Sequence, residues 1–236
     1  MIVPTLLIVL IGIFWQVVRR RLDAFESFFK TRKGILVLFA HPDDEVMFFL
    51  PTIKKLSSLG KRIVAGCLST GNADGLGETR KLEFQTVMNS LNIKEFIICD
   101  DKRIPDGFRS WDTLVVKELT QSILDKYPFI DTILTFDKGG ISGHPNHIST
   151  SEASTLRYSR DIKVVQLVSV PTPLKYAVPP FDLVNPFSSD LVSIIGYRDI
   201  FACADLMKLY GSQNVWFRRL FTIFSRFAYV NTLKIV

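Results

Sequence analysis

The sequence predicts an α/β fold: a Rossmann-like, mostly parallel sheet flanked by helices, with an N-terminal transmembrane helix. Two observations predict the sheet. The chain contains several continuous apolar runs, which are typical of buried strands, and stretches with the apolar spacing of a helix lie between them. A third observation predicts the membrane helix, since residues 2–18 carry no ionisable side chain. The chain has 236 residues, of which 47% are hydrophobic. This length and composition suit one globular domain with an appendage.

The apolar N-terminal run is followed directly by Arg19, Arg20 and Arg21. At about 1.5 Å per residue it reaches roughly 25 Å, the short end of what crosses a bilayer. No basic residue precedes the run and no small-residue cleavage site follows it, which disfavours a secretory signal. A buried core helix is the alternative. The arginines predict that the following residues face the cytosol, and we expect a membrane anchor with a basic flank at 1–21, a linker at 22–33 and one domain at 34–236.

The alternating pattern begins after this linker. Strands are predicted at 34–40, 62–70, 96–99, 131–136 and 163–170, with a further strand near 191–197. Helices are predicted between them at 43–59, 78–91, 111–127 and 146–157. Pro51 is expected to kink or interrupt the first of these helices. The proline-rich stretch 170–180 breaks the rhythm, and the topology after it is left open.

Residues 215–227 combine aromatic and basic side chains. At helical spacing, Trp216, Leu220, Phe224 and Phe227 share one face. A helix that turns this face toward the core is favoured slightly over an amphipathic segment that lies on a membrane.

Charge and cysteine content exclude several classes of protein. The net charge of +6 fits either an anionic partner or solvated surface charge, and without a recognisable nucleic-acid-binding motif no nucleic acid partner is expected. The three cysteines, Cys67, Cys99 and Cys203, are odd in number and widely spaced. They therefore indicate neither a disulfide framework nor a cysteine zinc site.

The chain has three histidines, and all of them lie in two short motifs that follow predicted strands. His41 begins the first motif, and His144 and His147 belong to the second. Ligands of open α/β sheets bind at the carboxyl ends of the strands, so one shared site is expected. Helix capping alone explains the acidic residues of the first motif, but it does not explain the histidines.

Two imidazoles and one carboxylate form the protein ligands of an open catalytic zinc site. A second carboxylate can then act as general base, and the remaining imidazole can stabilise an oxyanion. Spacing alone leaves open which aspartate and which histidines bind the metal.

Several motifs resemble those of a known family. AHPDDE at 40–45, GETRKLE at 77–83 and SGHPNH at 142–147 resemble the LmbE-like family of zinc-dependent N-acetylglucosaminyl deacetylases. The chain is also similar to the eukaryotic membrane branch of this family, the N-acetylglucosaminyl-phosphatidylinositol de-N-acetylases. This second likeness lies in the N-terminal segment, GNADGLGETR, WDT, TFDKGGISGHPNH and WFRRLFTIFSRF. The likeness covers the chain from about residue 34 to its end.

This resemblance implies roles for individual residues. Zinc, or another divalent metal, is expected on His41, Asp44 and His147. Asp43 is expected to be the general base and His144 to assist the tetrahedral intermediate. Arg80 matches a position that the family uses for substrate recognition, and its alternative is a surface charge. Glu45 is expected to be structural.

The resemblance also implies an activity and a location. We expect hydrolysis of the N-acetyl group of N-acetylglucosaminyl-phosphatidylinositol, the second step of GPI-anchor synthesis, with this glycolipid and the membrane as partners and no obligatory protein partner. The location implied is the endoplasmic reticulum membrane, crossed once, with the catalytic domain in the cytosol. Two alternatives remain: a deacetylase of another N-acetylglucosamine conjugate, and a non-catalytic, membrane-tethered module that binds glycolipid.

Overall fold

A computed structural model describes residues 2–176 and 189–236, with side chains from residue 11 onward. Residues 177–180 of the predicted proline-rich stretch lie outside the described residues. The strands are β1 (Gly34–Phe39), β2 (Arg62–Cys67), β3 (Glu95–Ile98), β4 (Thr132–Phe136), β5 (Lys163–Leu167), β6 (Leu191–Ile194) and β7 (Val230–Ile235). The first six correspond to the predicted strands, whereas β7 was not predicted.

The strands form one sheet in the order β3-β2-β1-β4-β5-β7-β6. Strands β1 to β5 run parallel to one another, and β7 runs antiparallel to both β5 and β6. The predicted mostly parallel α/β sheet is therefore confirmed, with one strand of opposite direction. Every residue of β1 and β4 is buried, as expected for central strands whose two faces are both covered.

Helices surround this sheet. They are α1 (Ile2–Lys30), α2 (Asp44–Met47), α3 (Leu50–Ser58), α4 (Gly77–Ser90), α5 (Thr113–Lys126), α6 (Gly140–Gly143), α7 (Pro145–Ser154), α8 (Thr172–Lys175), α9 (Ala202–Met207) and α10 (Trp216–Phe224). The helix predicted at 43–59 is interrupted as expected, because α2 ends before Phe48 and α3 begins at Leu50. Pro51 lies in the first turn of α3, where its missing N–H is not needed.

The predicted transmembrane helix at 1–21 is not confirmed. In the described part of the chain, no helix is long and apolar enough to cross a membrane. The side chains of residues 1–10, which make up much of the apolar run, lie outside those described.

The residues expected to form a linker are helical as far as Lys30. Helix α1 packs against β6, and Phe25 and Phe29 are fully buried in the main hydrophobic core. Their rings contact each other at a centroid distance of 4.6 Å. The end of α1 is thus part of the globular body, while the division into anchor, linker and domain stays a prediction.

The favoured core-facing orientation of the segment 215–227 is wrong for most of its length. In α10, Trp216, Leu220 and Phe224 are exposed, and Phe221 is the aromatic residue that is buried. Phe227 is also buried, but it lies in a separate short turn at 226–228, after the helix has ended. Helical spacing correctly identified residues that share an apolar face, but the prediction that this face packs on the core was wrong.

Asn231 on β7 connects the unpredicted strand to the helices that follow β1. Its Oδ1 accepts hydrogen bonds from the Thr52 amide and hydroxyl at 3.2 and 2.8 Å, and its Nδ2 donates to the Phe48 carbonyl at 2.8 Å. All of these groups are buried. This side chain therefore fixes the junction between α2 and α3.

We expect Asn231→Ala to lower the free energy of unfolding by about 2–4 kcal/mol, because it leaves buried groups of Thr52 and Phe48 without partners. Chemical denaturation measures this loss. The control is Asn89→Ala at an exposed position of α4, for which a change within about 0.5 kcal/mol is expected. Equal losses for the two variants would contradict the importance of this junction.

Candidate active site

The two histidine motifs meet at the carboxyl ends of neighbouring strands. His41 follows β1, and His144 and His147 follow β4, which pairs with β1 in parallel. Ligand atoms of His41, Asp44 and His147 all lie within 4.8 Å of one another, and the three residues are buried. The structure therefore brings together the three residues expected to bind metal.

Asp44 is held at the end of β1 by the backbone. Its Oδ2 accepts hydrogen bonds from the amides of Ala40 and His41 at 3.1 and 2.8 Å. Its Oδ1 lies 3.3 Å from His147 Nε2. Burial raises the pKa of Asp44, but its interactions with His147 and His41 outweigh burial and hold the pKa well below its ordinary value. One oxygen thus fixes the side chain, and the other faces the site as an anion.

The orientation of His147 is set by α6 and β4. Its Nδ1 lies 3.1 Å from the Gly140 carbonyl, and its ring stacks on Phe136 at 4.0 Å. Because a carbonyl accepts only from N–H, a proton is assigned to Nδ1, which leaves Nε2 as the nitrogen that can bind a metal. Among the described residues, this buried Nε2 has no hydrogen-bond partner. Such a nitrogen, directed at a carboxylate, is suited to a metal.

His41 shows the complementary arrangement. Its Nε2 lies 2.9 Å from Asn146 Oδ1 and 3.0 Å from Asp106 Oδ1, so the proton is assigned to Nε2. Nδ1 then faces Asp44 Oδ2 at 3.5 Å. Burial lowers the pKa of His41, but Asp106 and Asp44 outweigh it and raise the pKa to about 10. A metal on Nδ1 would replace the second proton of this imidazolium.

These observations test whether a divalent metal fits the donor set formed by His41, Asp44 and His147. Two imidazole nitrogens, His41 Nδ1 and His147 Nε2, converge with one carboxylate oxygen, and a carbonyl or side-chain oxygen orients the other nitrogen of each ring. This second layer of hydrogen bonds is usual for metal-binding histidines. The residues therefore fit a divalent cation.

Asp43 lies beside this donor set and lines the same cavity as His41 and His147. Its backbone has φ 102°, a conformation that is strained for any residue other than glycine. Its Oδ2 lies 3.5 Å from both Arg80 Nη2 and Arg218 Nε, and within the described residues it accepts no hydrogen bond. Burial raises the pKa of Asp43 although both arginines lower it. A carboxylate in the same cavity as the donor set can act as a base, and this role of Asp43 stays a prediction.

His144 lies beside the other two histidines, with ring centroids 4.9 Å from each. Its Nδ1 accepts from the Asn146 amide at 3.3 Å and so caps α7. The proton therefore lies on Nε2. Burial, with the neighbouring His41 and His147, lowers the pKa of His144 to about 4. The neutral ring can donate an N–H bond, which matches the expected assistance to an oxyanion.

Arg80 is buried, so its alternative interpretation as a surface charge is wrong. Its Nη1 donates to the Gly71 carbonyl at 2.9 Å and its Nη2 donates to the Pro42 carbonyl. Gly71 has φ 69°, and a Cβ there would lie 2.4 Å from the guanidinium, so only glycine admits this packing. Arg80 lines the same cavity as Asp43 and His41. Whether it contacts substrate stays a prediction.

Sequence reasoning missed two charged residues that contact the predicted site residues. Asp106, in the loop before α5, contacts His41, and Arg218 on α10 contacts Asp43. Both line a cavity of about 590 Å³ together with the histidines. Only Arg218 had a sequence signal, because it lies in the aromatic and basic segment at 215–227.

Glu45 is structural, as expected. It is fully buried; its Oε1 accepts from the Tyr210 hydroxyl and its Oε2 accepts from the Asp43 amide at 3.2 Å. Burial raises the pKa of Glu45 to about 8, although the Tyr210 hydrogen bond lowers it. Tyr210 and Glu45 together support the unusual backbone of Asp43.

Comparison with known proteins agrees with this geometry. The sequence profile of the GlcNAc-PI de-N-acetylase (PIG-L) family matches residues 36–157. A probable N-acetylglucosaminyl-phosphatidylinositol de-N-acetylase of Schizosaccharomyces pombe is 35% identical, over 86% of each chain. The N-acetylglucosaminyl-phosphatidylinositol de-N-acetylase of Bos taurus is 32% identical, over 84% of this chain and 82% of that protein.

Solved structures share the fold. The N,N'-diacetylchitobiose deacetylase of Pyrococcus horikoshii superimposes with a TM-score of 0.64, over 95% of this chain and 92% of that one. Sequence identity is 17%, so this likeness concerns the architecture.

We expect His147→Ala to lower the affinity for zinc at least about 100-fold, because it removes one of three converging donors. His144→Ala is the matched control: it removes a neighbouring imidazole that lies outside the donor set, and it should retain the metal. The metal content of the purified proteins, measured by plasma emission, separates the two. Equal metal loss in both variants would contradict the assigned donor set.

Tyr210→Phe should lower the free energy of unfolding by about 1–3 kcal/mol, because the buried Glu45 loses a hydrogen-bond donor. It should also lower kcat, since Asp43 loses support. Tyr158→Phe is the control, because its hydroxyl is also buried and donates to Ala153 O at 2.9 Å, far from the site. If Tyr210→Phe keeps the parent kcat, the positioning role of this pair is wrong.

Proposed function

Because this chain belongs to the GlcNAc-PI de-N-acetylase (PIG-L) family, we propose that it hydrolyses the N-acetyl group of N-acetylglucosaminyl-phosphatidylinositol. The products are glucosaminyl-phosphatidylinositol and acetate, and the reaction is a step of GPI-anchor biosynthesis. The observation that carries the proposal is the buried His41, Asp44 and His147 cluster with the Asp43 carboxylate in the same cavity.

His41, Asp44 and His147 are the residues proposed to hold the metal. Two imidazoles and one carboxylate suit zinc, and they also suit iron and other divalent ions. When bound, a divalent cation there supplies a Lewis acid that lowers the pKa of a water and stabilises the charge that develops on the acetyl oxygen.

Asp43 is the proposed general base. Its carboxylate removes a proton from the attacking water, and the same carboxyl group then returns a proton to the departing amine nitrogen. The backbone of Asp43 keeps this carboxylate apart from that of Asp44, although the two residues are adjacent in the chain. Arg80 and Arg218 keep the site electrically balanced while Asp43 is ionised.

His144 is the proposed donor to the oxyanion. The Asn146 amide occupies its Nδ1, so its Nε2–H is the group that can reach the reacting carbonyl. A preorganised donor of this kind contributes to the rate because it meets the charge of the transition state without reorganising.

Arg80 stays a proposed substrate-binding residue. Its Nε is buried and lacks a partner among the described residues, and the side chain lines the cavity. A guanidinium pairs well with the phosphodiester of a phosphoinositide. The location is likewise proposed: the endoplasmic reticulum membrane with the globular body in the cytosol, which the arginines after the apolar N-terminal run support.

Acetate release from N-acetylglucosaminyl-phosphatidylinositol tests the function. We expect Asp43→Asn to lower kcat by about 100-fold to 10,000-fold while metal content is unchanged, because only proton transfer is lost. Asp161→Asn at an exposed position is the control and should keep the parent rate. Full activity in a metal-free preparation would contradict the metal dependence.

The same assay separates the competing functions. Faster release from a soluble N-acetylglucosamine oligosaccharide than from the glycolipid would favour a different deacetylase. Metal binding and glycolipid binding without acetate release would favour a non-catalytic module.

A further inference from the structure

Helix α10 directs its apolar face to solvent. Trp216 is 72% exposed, and Phe217, Ile223 and Phe224 are each 53% exposed. At about 100° per residue these side chains, with Leu220, cover one continuous arc of about 120°. A soluble surface seldom carries so many large apolar side chains side by side.

The opposite side of α10 belongs to the candidate active site. Phe221 is buried and packs edge-to-face on Phe48 at 5.6 Å, and Arg218 contacts Asp43. Phe217 and Arg218 line the same cavity as His41. Phe108, which is 81% exposed, lines this cavity as well. The exposed apolar face therefore adjoins the mouth of the site.

The chain segment that carries this face is basic. Residues 206–236 contain no acidic side chain and five basic ones: Lys208, Arg218, Arg219, Arg226 and Lys234. Arg219 is exposed at the edge of the apolar arc. Aromatic side chains beside arginine, with no acidic residue, are typical of helices that lie in the interface of an anionic membrane.

We propose that the outer face of α10 docks on the surface of an anionic phospholipid bilayer and places the mouth of the cavity at that surface. The inference rests on the proposed function, because a glycolipid substrate presents its sugar headgroup at such a surface. Trp216 lies in the lipid boundary, where an indole finds both apolar contact and a hydrogen-bond partner, and Arg219 lies among the phosphates.

Fluorescence quenching tests the docking directly. The full chain with Trp15→Phe is reconstituted in vesicles of phosphatidylcholine and phosphatidylserine with brominated acyl chains. Emission then comes from Trp216 and from Trp111, which is 5% exposed and serves as an internal reference. About half of the Trp216 emission should be lost, because the apolar face of an interfacial helix reaches the acyl boundary.

Three comparisons decide the result. Trp216→Phe in the same background supplies the baseline, and quenching should fall in neutral phosphatidylcholine vesicles and with Arg219→Gln. The proposal is overturned if brominated lipid quenches the parent background no more than it quenches the Trp216→Phe variant. Equal quenching in neutral and anionic vesicles would also overturn it. Protection of Trp216 by self-association or by an added protein, without quenching by lipid, would also overturn it.

Kinetics separate failure of the docking from failure of the proposed function. Leu220→Gln with Ile223→Gln should raise KM about tenfold for substrate in vesicles, while leaving hydrolysis of a deacylated, water-soluble analogue unchanged. The matched control is Leu82→Gln with Leu114→Gln, at exposed positions of α4 and α5. If the parent chain hydrolyses neither substrate, the proposed function fails and the quenching result still stands. Equal KM values for the two double variants would overturn the docking surface.

Discussion

The carboxylate of Asp44 is the group on which the site depends. Its two oxygens have different partners. Oδ2 accepts hydrogen bonds from two amides at the end of β1, and Oδ1 faces His147, which follows β4. The parallel pairing of β1 and β4 therefore sets the separation of the metal-binding groups. A buried carboxylate without such partners would be strongly destabilising. The histidines, or a cation that they hold, compensate its charge, so the fold and the donor set stabilise each other.

Two adjacent aspartates have different partners because the backbone separates them. With Asp43 in a left-handed conformation, its side chain contacts Arg80 and Arg218. The cost of this conformation, about 1–3 kcal/mol, is offset by the hydrogen bonds through Glu45 to Tyr210. Tyr210 lies in the last quarter of the chain, so a late segment supports an early motif. This explains why the acidic motif at 43–45 requires the complete domain.

Features that depend on residues close together in the chain were predicted correctly from the sequence. The apolar runs of β1 to β5 and the position of His41 after β1 follow from buried parallel strands, and both were recovered. Strand β7 was missed because its buried positions include the polar Asn231 and Thr232, which interrupt the apolar run that marked the other strands. Asp106 and Arg218 were missed because each reaches the site from a separate loop or helix, and no spacing connects them to the histidines. Arg80 was recovered by family resemblance, and its burial was not foreseen.

Helix α10 shows where periodicity stops being informative. The spacing of Trp216, Leu220 and Phe224 defines an apolar face, but an apolar face has the same period whether it packs on a core or on a lipid surface. Only the contacts of the opposite face decide between them, and here that face carries Arg218 and the buried Phe221. A sugar attached to a membrane lipid is confined near the headgroups, so a cavity that acts on it must open there. Helix α10 meets this requirement, because its apolar face points outward beside that opening and its opposite face contacts Asp43.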